Sequence, residues 1–345
     1  MVIDGQQRLT SLIAAMYGIQ VKDKKFKERR IRIVFNPLDR TFEVWSNRYE
    51  KDPQWINDIS KVFEADANHE ATRFRRAFIK RLNDFYLSKG EAELTDDQEI
   101  AIEENLNALL DLKDYSLPVL KIRRKADEED VADIFKRVNS GGQNLNENNF
   151  IETLLSVYDN DVHDRIMQFC AESRIPKDGT SFNNIIDVDP THLIRMAVGY
   201  GFSRARMRYG YKILRGKNLK TGETSEETRK ENLEIFKQAL DMVMNINNWH
   251  AYLNLFPNAG YIRGNLVSSS YVVIYGYVWY LIGKYKYHVA PLELRRVITK
   301  FIFMALVRQY YGLSPESSVE KNFADLRNVT DAAGFVDYFN KEIEL

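Results

Sequence analysis

Apolar and polar positions along this chain switch repeatedly between helical and strand spacing. Val2-Ile3 is a short β-branched run. Leu9, Leu12, Ile13 and Met16 then fall at i, i+3, i+4 and i+7, one apolar helix face. Gly18 suits the C-terminal end of that helix. Ile31, Ile33 and Phe35 alternate with polar neighbours, Pro37-Leu38-Asp39-Arg40 turns the chain, and Phe42 and Val44 resume the alternation. This pattern predicts a β-hairpin with one half-buried face. Phe74, Phe78, Leu82 and Phe85 mark a second helix. Thr95-Asp96-Asp97-Gln98 is a capping box opening a third, with Leu106, Leu109 and Leu110 on its inner side. Leu117 to Ile122 reads as a strand whose Pro118 places it near an edge. Val131, Ile134, Phe135 and Val138 form another helix face, and Asn146 caps a further helix reaching about Tyr158.

From residue 159 onward the strand signals vanish. Residues 173–190 and 215–226 read as loops. Asp189-Pro190 caps a helix carrying Leu193, Ile194 and Val198, and Leu233, Phe236, Leu240 and Val243 mark another. Two long apolar helices, near 262–284 and 291–312, close the chain. The expected class is α+β: residues 1–158 form a small sheet with many helices, and residues 159–345 form an all-α domain. No internal repeat is visible.

Length and composition fit that picture. A chain of 345 residues accommodates two cores. Lys plus Arg equals Asp plus Glu at 49 each, which argues against nucleic-acid binding by bulk charge and leaves room for a local patch. Cys170 is the single cysteine, so an internal disulfide and a cysteine-based zinc site are excluded, and its apolar neighbours favour a buried thiol. Asp4 and Arg8 interrupt any apolar N-terminal run, so no signal peptide is read and the expected location is cytoplasmic. The uncharged stretch from Leu266 to Gly283 reads as a buried helix rather than a membrane span.

The candidate chemistry concentrates in Asp4-Gly5-Gln6-Gln7-Arg8, at the passage from Val2-Ile3 into the first helix. First-turn amides lack partners within a helix and carry the positive end of its dipole, which suits an anion. Arg8 adds a planar fork of donors that matches phosphate. Asp4 can bond a ribose or a metal, and Gln6 or Gln7 can orient a water. The same residues equally make an Asp-x-x-Gln capping box, with Gly5 allowing a tight turn. No Walker-type loop is present, so any nucleotide site here is not a P-loop.

The string VIDGQQRLTSL resembles the signature of the small-subunit domain of GmrSD-type, modification-dependent restriction systems, in the ParB/sulfiredoxin-like group of folds. Ile134 to Gly142, IFKRVNSGG, followed by Leu145, is similar to a second block of that family. The resemblance covers residues 1–158. It implies a ParB/sulfiredoxin-like mixed sheet and an NTP pocket, with Mg2+ as the accompanying cation. Asp4, Gln6, Gln7 and Arg8 would be its catalytic group. Asp4, Gly5, Gln7, Arg8 and Thr10 would contact nucleotide, with Thr10 a metal or phosphate ligand. Asn139, Gly141 and Gly142 would approach the same pocket, or simply end a helix. Family members carry a further segment before the motif, with a strand and a YQR-like element. A chain starting at Met1 is therefore expected to lack one strand and one pocket wall, leaving a sheet edge that invites self-association.

A second constellation lies between Asp189 and Glu223, where no acidic residue occurs. Arg204, Arg206, Arg208, Lys212 and Arg215 interleave with Tyr200, Phe202, Tyr209 and Tyr211. That composition suits phosphates and stacked bases, or a solvated surface meeting acidic helices elsewhere. Asp187, Asp189 and His192 could ligate a cation, but the cap reading of Asp189 is simpler, and no metal site is assigned. The expected function is an NTP-binding and hydrolysing component of a prokaryotic defence system against foreign, possibly modified, DNA. It would gate DNA engagement or a separate nuclease domain or subunit. A non-enzymatic DNA- or protein-binding scaffold and a small-molecule kinase on the same scaffold are the alternatives.

Overall fold

The helix opened by the glutamine-rich motif ends where Gly18 predicts. In the computed structural model, which describes residues 6–23, 26–119, 160–175, 178–219 and 221–344, α1 spans Gln6–Tyr17. Gly18 follows with φ +65°, a left-handed conformation that side chains resist. A Cβ there would lie 2.8 Å from the Arg30 guanidinium, a flexible side-chain end that can shift, so it is the backbone conformation that selects glycine. The buried side of α1 includes Met16 of the expected face but departs from it at Leu12 and Ile13. Ala14, Ala15 and Met16 are buried, whereas Leu12 and Ile13 are 44% and 40% exposed. The two alanines let α1 approach α3 (Ser60–Ala67) closely, and the bulkier residues turn outward.

Two antiparallel strand pairs follow α1. β1 (Gln20–Lys22) pairs with β2 (Glu28–Arg30). β3 (Ile33–Asn36) pairs with β4 (Thr41–Val44), with Phe35 opposite Phe42 and Ile33 opposite Val44, which is the expected hairpin. Val34 and Phe35 are buried. Among the described residues the strands make two separate antiparallel pairs and not one mixed sheet. Leu117–Val119, expected to begin a strand, is irregular and exposed, and residues 120–122 lie outside the described residues.

Helices α2 (Asn47–Glu50), α4 (Ala71–Ser88) and α5 (Asp96–Leu110) complete the first unit. Thr95 accepts the Gln98 amide at 3.3 Å and Gln98 accepts the Thr95 amide at 2.9 Å, so the capping box forms in full. Phe35, Val62, Phe63, Phe78, Leu82, Ile102 and Leu106 share one core. Asp58, buried at the entry to α3, binds Arg30 at 2.9 Å and accepts from the Ser60 hydroxyl at 2.7 Å. This ties β2 to α3. The chain divides into this unit, Met1–Arg123, and a second, Arg124–Leu345. The helices expected over 131–158 and the boundary at 158/159 lie outside the described residues.

The described part of the second unit is helical. Its elements are α6 (Asn160–Glu172), α7 (Pro190–Phe202), α8 (Met207–Leu214), α9 (Glu226–Val243), α10 (Ile246–Leu253), α11 (Leu255–Asn258), α12 (Ser270–Tyr285), α13 (Pro291–Val307), α14 (Pro315–Asp325) and α15 (Ala332–Glu344). Cys170 is buried in α6. The chain does not close on two apolar helices: α12 begins only at Ser270, α13 stops at Val307, and α14 and α15 follow. No helix among the described residues is long and apolar enough to cross a membrane.

Every residue of α12 from Val272 to Gly283 is buried. A helix apolar on all sides is stable in a soluble protein only when other helices enclose it. Three fully buried aromatic side chains of α12 place their polar atoms on partners: the Tyr275 hydroxyl donates to the Ala205 carbonyl at 3.2 Å and the Tyr277 hydroxyl to that of Val243 at 3.0 Å. The Trp279 indole donates to the Tyr311 hydroxyl at 3.2 Å. Tyr311 in turn donates to Asn322 Oδ1 at 3.0 Å, and Asn322 Nδ2 donates to Tyr310 and Tyr338 at 2.8 Å each. Burial pushes these tyrosine hydroxyls upward in pKa, so they stay protonated donors.

At α7 the expected cap is present and reciprocal. Asp189 accepts the His192 amide at 2.9 Å, and His192 Nδ1 accepts the Asp189 amide at 3.3 Å. Desolvation holds the His192 pKa below its ordinary 6.5. Asp189 opposes that shift, while Arg195 and Arg174 reinforce it.

Two outcomes follow from these contacts. Asn322→Ala leaves the Tyr311 hydroxyl without its buried acceptor and should cost about 2–4 kcal/mol in denaturant unfolding. The folded state binds a proton at His192 less readily than the unfolded state, so this residue's share of stability falls as pH drops through 6.5. His192→Gln keeps an acceptor for the cap and should flatten stability between about pH 7 and 5, read from denaturation midpoints.

Candidate functional site

Gln7, Arg8 and Thr10 lie exposed on the first turns of α1. No carboxylate occupies that first turn. An arginine beside the positive end of a helix dipole is unfavourable by a few tenths to about 1 kcal/mol, and an anion held there reverses the sign. The amides of that turn carry the positive end of the helix dipole, which suits an anion. Asp4, Gly5 and the Gln6 side chain lie outside the described residues, as do Asn139, Gly141 and Gly142. Three of the predicted nucleotide-site residues are thus placed together on one helix start.

The basic stretch is better defined. Arg204 and Arg206 precede α8, in a turn where Ser203 adopts φ +52°. Arg208, Lys212 and Arg215 fall at i, i+4 and i+7, on the side of α8 opposite the buried Met207, Gly210, Ile213 and Leu214. Arg208 and Lys212 are exposed. Arg208 lies 5.0 Å and Arg204 5.1 Å from the centre of the Tyr209 ring. The Arg208 guanidinium donates to the Tyr209 hydroxyl and lowers its pKa. Arg215 donates to the Tyr211 hydroxyl at 2.7 Å.

Part of this charge is consumed within the fold. Glu320 of α14 accepts from Arg204 at 2.7 Å and from the Ala205 and Arg206 amides at 2.8 and 3.3 Å. Glu316, one turn earlier, pairs with Arg195 at 2.6 Å. Arg206 donates to the Ser317 hydroxyl. Nothing in the sequence flagged Glu316 or Glu320, which lie more than a hundred residues from their partners. Arg195 and Arg204 are therefore committed to α14, and among the described residues of this stretch Arg208 and Lys212 are exposed to an outside phosphate.

The first 156 residues match the model of the GmrSD restriction endonuclease N-terminal domain. Over that stretch, a little under half of its length, the chain is similar to that family. The GmrSD match includes the Asp4–Arg8 motif and the Ile134–Gly142 block and extends beyond the first compact unit. No curated protein and no solved structure matches the chain. The described helices of the second unit, from Asn160 onward, lie outside that match, and their role has to be argued from their own chemistry.

A DNA titration separates the two groups of arginines. Arg208→Ala with Lys212→Ala should reduce the steepness of log affinity against log salt by about 2, near 0.9 per lost phosphate contact. Arg204→Ala should instead lower the melting temperature, because it strips Glu320 of its charged partner. An unchanged salt slope in the double variant removes this face of α8 from DNA contact.

Proposed function

We propose that the chain is the NTP-binding and NTP-hydrolysing component of a restriction system, coupling nucleotide state to engagement of foreign DNA by a nuclease partner. The observation that carries this reading is the similarity of residues 1–156 to the GmrSD restriction endonuclease N-terminal domain. The electropositive start of α1, with Arg8 in its first turn, supports it. Transfer of a phosphoryl group needs charge stabilisation and an aligned water more than covalent chemistry. In this proposal the first-turn amides and Arg8 bind phosphate oxygens, Gln6 or Gln7 orients the water, and Asp4 holds the ribose or the cation.

Among the described residues no group of three metal-ligating side chains stands ready to hold a cation unaided. In this proposal Mg2+ arrives with the triphosphate, with Thr10 as the motif's described oxygen ligand. Bound Mg2+ would neutralise charge developing on the phosphates. The exposed Arg208 and Lys212 of α8 favour DNA as the macromolecule the helical unit meets. DNA modification, if read, would be a further level of the same recognition.

Phosphate release from each of the four NTPs, with and without DNA, tests the proposal. Arg8→Ala should weaken nucleotide binding by about 1.5–3 kcal/mol, the worth of a hydrogen bond to a charged group, and abolish release at low substrate. Release that is indifferent to Arg8, or DNA binding with no release from any NTP, overturns the NTPase reading and leaves a DNA-binding scaffold.

A further inference from the structure

We propose that the outer face of α13 docks an acidic amphipathic helix of a protein partner. The inner face of α13 is fully committed, with Leu294, Val297, Ile298, Phe301, Ile302 and Leu306 buried. The outer face is lined by Leu292, Arg295, Arg296, Thr299, Lys300 and Phe303. Together with the turn 258–260 after α11 it bounds a groove of about 860 Å³.

The chemistry of that groove is ordered along the helix. Leu292 stands at one end, 83% exposed, and Phe303 and then Val307 at the other, 47% and 59% exposed. Between them come the cations. Leu292 and Phe303 are eleven residues apart, about 16 Å along the axis. Lys300 is held by Glu344 at 3.0 Å, but among the described residues neither Arg295 nor Arg296 has an ion-pair partner. The contrast within the same unit is direct, since Arg165, Arg195 and Arg204 each pair with a carboxylate.

Charge complementarity selects the occupant. An apolar–cationic–apolar stripe about three turns long is complemented by an apolar–acidic–apolar stripe on another helix, with anchors at helical spacing. A nucleic-acid backbone would use the two arginines but gain nothing from Leu292 or Val307. A bilayer would bury both ends only by drawing the central arginines into the interface. The inference is independent of the nucleotide reading, because it rests on the second unit alone.

The probe is a fluorescein-labelled synthetic helix of about 18 residues, with leucines at both ends of one face and glutamates between them. Its controls are a lysine-for-glutamate version and a scrambled version, and binding to the full chain is read by anisotropy. The acidic helix should bind at least about tenfold tighter than either control. Arg295→Glu with Arg296→Glu should reduce its affinity at least about tenfold. Leu292→Ala with Phe303→Ala should reduce it at high salt, where charge is screened. All four positions are on the surface, so melting temperatures should hold, and Arg295→Gln with Arg296→Gln provides a milder check. Equal binding of the acidic and scrambled helices overturns the proposal. So does indifference to the arginine substitutions, or Arg295/Arg296-dependent binding of duplex DNA or phosphatidylglycerol vesicles without binding of the acidic helix.

Discussion

The enclosure of α12 is the constraint on which the second unit depends. Twelve consecutive residues, Val272 to Gly283, are removed from water, and several are tyrosine or tryptophan. Aromatic rings supply large apolar surface, but each buried O–H or N–H that goes unpaired costs about 1–3 kcal/mol. The surrounding helices must therefore present acceptors at fixed points and not merely apolar bulk. The Ala205 and Val243 carbonyls and the Tyr311 hydroxyl do this. Gly276 is part of the same requirement: a Cβ there would lie 2.4 Å from the Tyr252 hydroxyl, which donates to the Val273 carbonyl at 2.9 Å. α10 and α12 reach that separation only because one of them lacks a side chain at the crossing.

This enclosure reaches the surface through α14. Asn322 completes the polar chain beneath Trp279, and Val319 and Phe323 bury beside it, which fixes the rotation of α14. With that rotation set, Glu316 and Glu320 face Arg195 and the turn before α8. The carboxylates that quench part of the basic stretch are thus positioned by the core, and the cations left outside, Arg208 and Lys212, are those α14 does not reach.

Local signals were legible wherever a few adjacent residues settle the structure. The capping boxes at Thr95–Gln98 and Asp189–His192, the hairpin about residues 37–40 and the helix end at Gly18 are all readable from sequence, because their partners lie within a turn. The side of α1 that packs was not legible. Leu12 and Ile13 carry the stronger apolar signal, yet Ala14 and Ala15 are buried, because close approach to α3 rewards small residues. α14 and α15 were missed for a related reason. Each spends few apolar residues on its core face, Val319 and Phe323 in one and Phe335 and Phe339 in the other, too few for a periodic pattern to stand out. At the candidate nucleotide site, residue types and the helix start were readable.

Net charge shows how far composition can mislead about binding. Equal numbers of acidic and basic residues describe a sum, whereas binding answers to the local field. Compensation in this chain is uneven. Arg30 is matched by buried Asp58, Arg195 by Glu316 and Arg204 by Glu320, all where packing has already brought backbone segments together. Arg208 with Lys212 on α8 and Arg295 with Arg296 on α13 stand on outward faces instead, and their neighbours differ in kind. Tyrosine rings accompany the first pair, as suits a polyanion with stackable bases. Leucine, phenylalanine and valine flank the second, as suits an acidic helix with apolar anchors. Under the two proposals, what distinguishes these cationic surfaces of one neutral chain is the kind of residue beside them, and not the number of charges each carries.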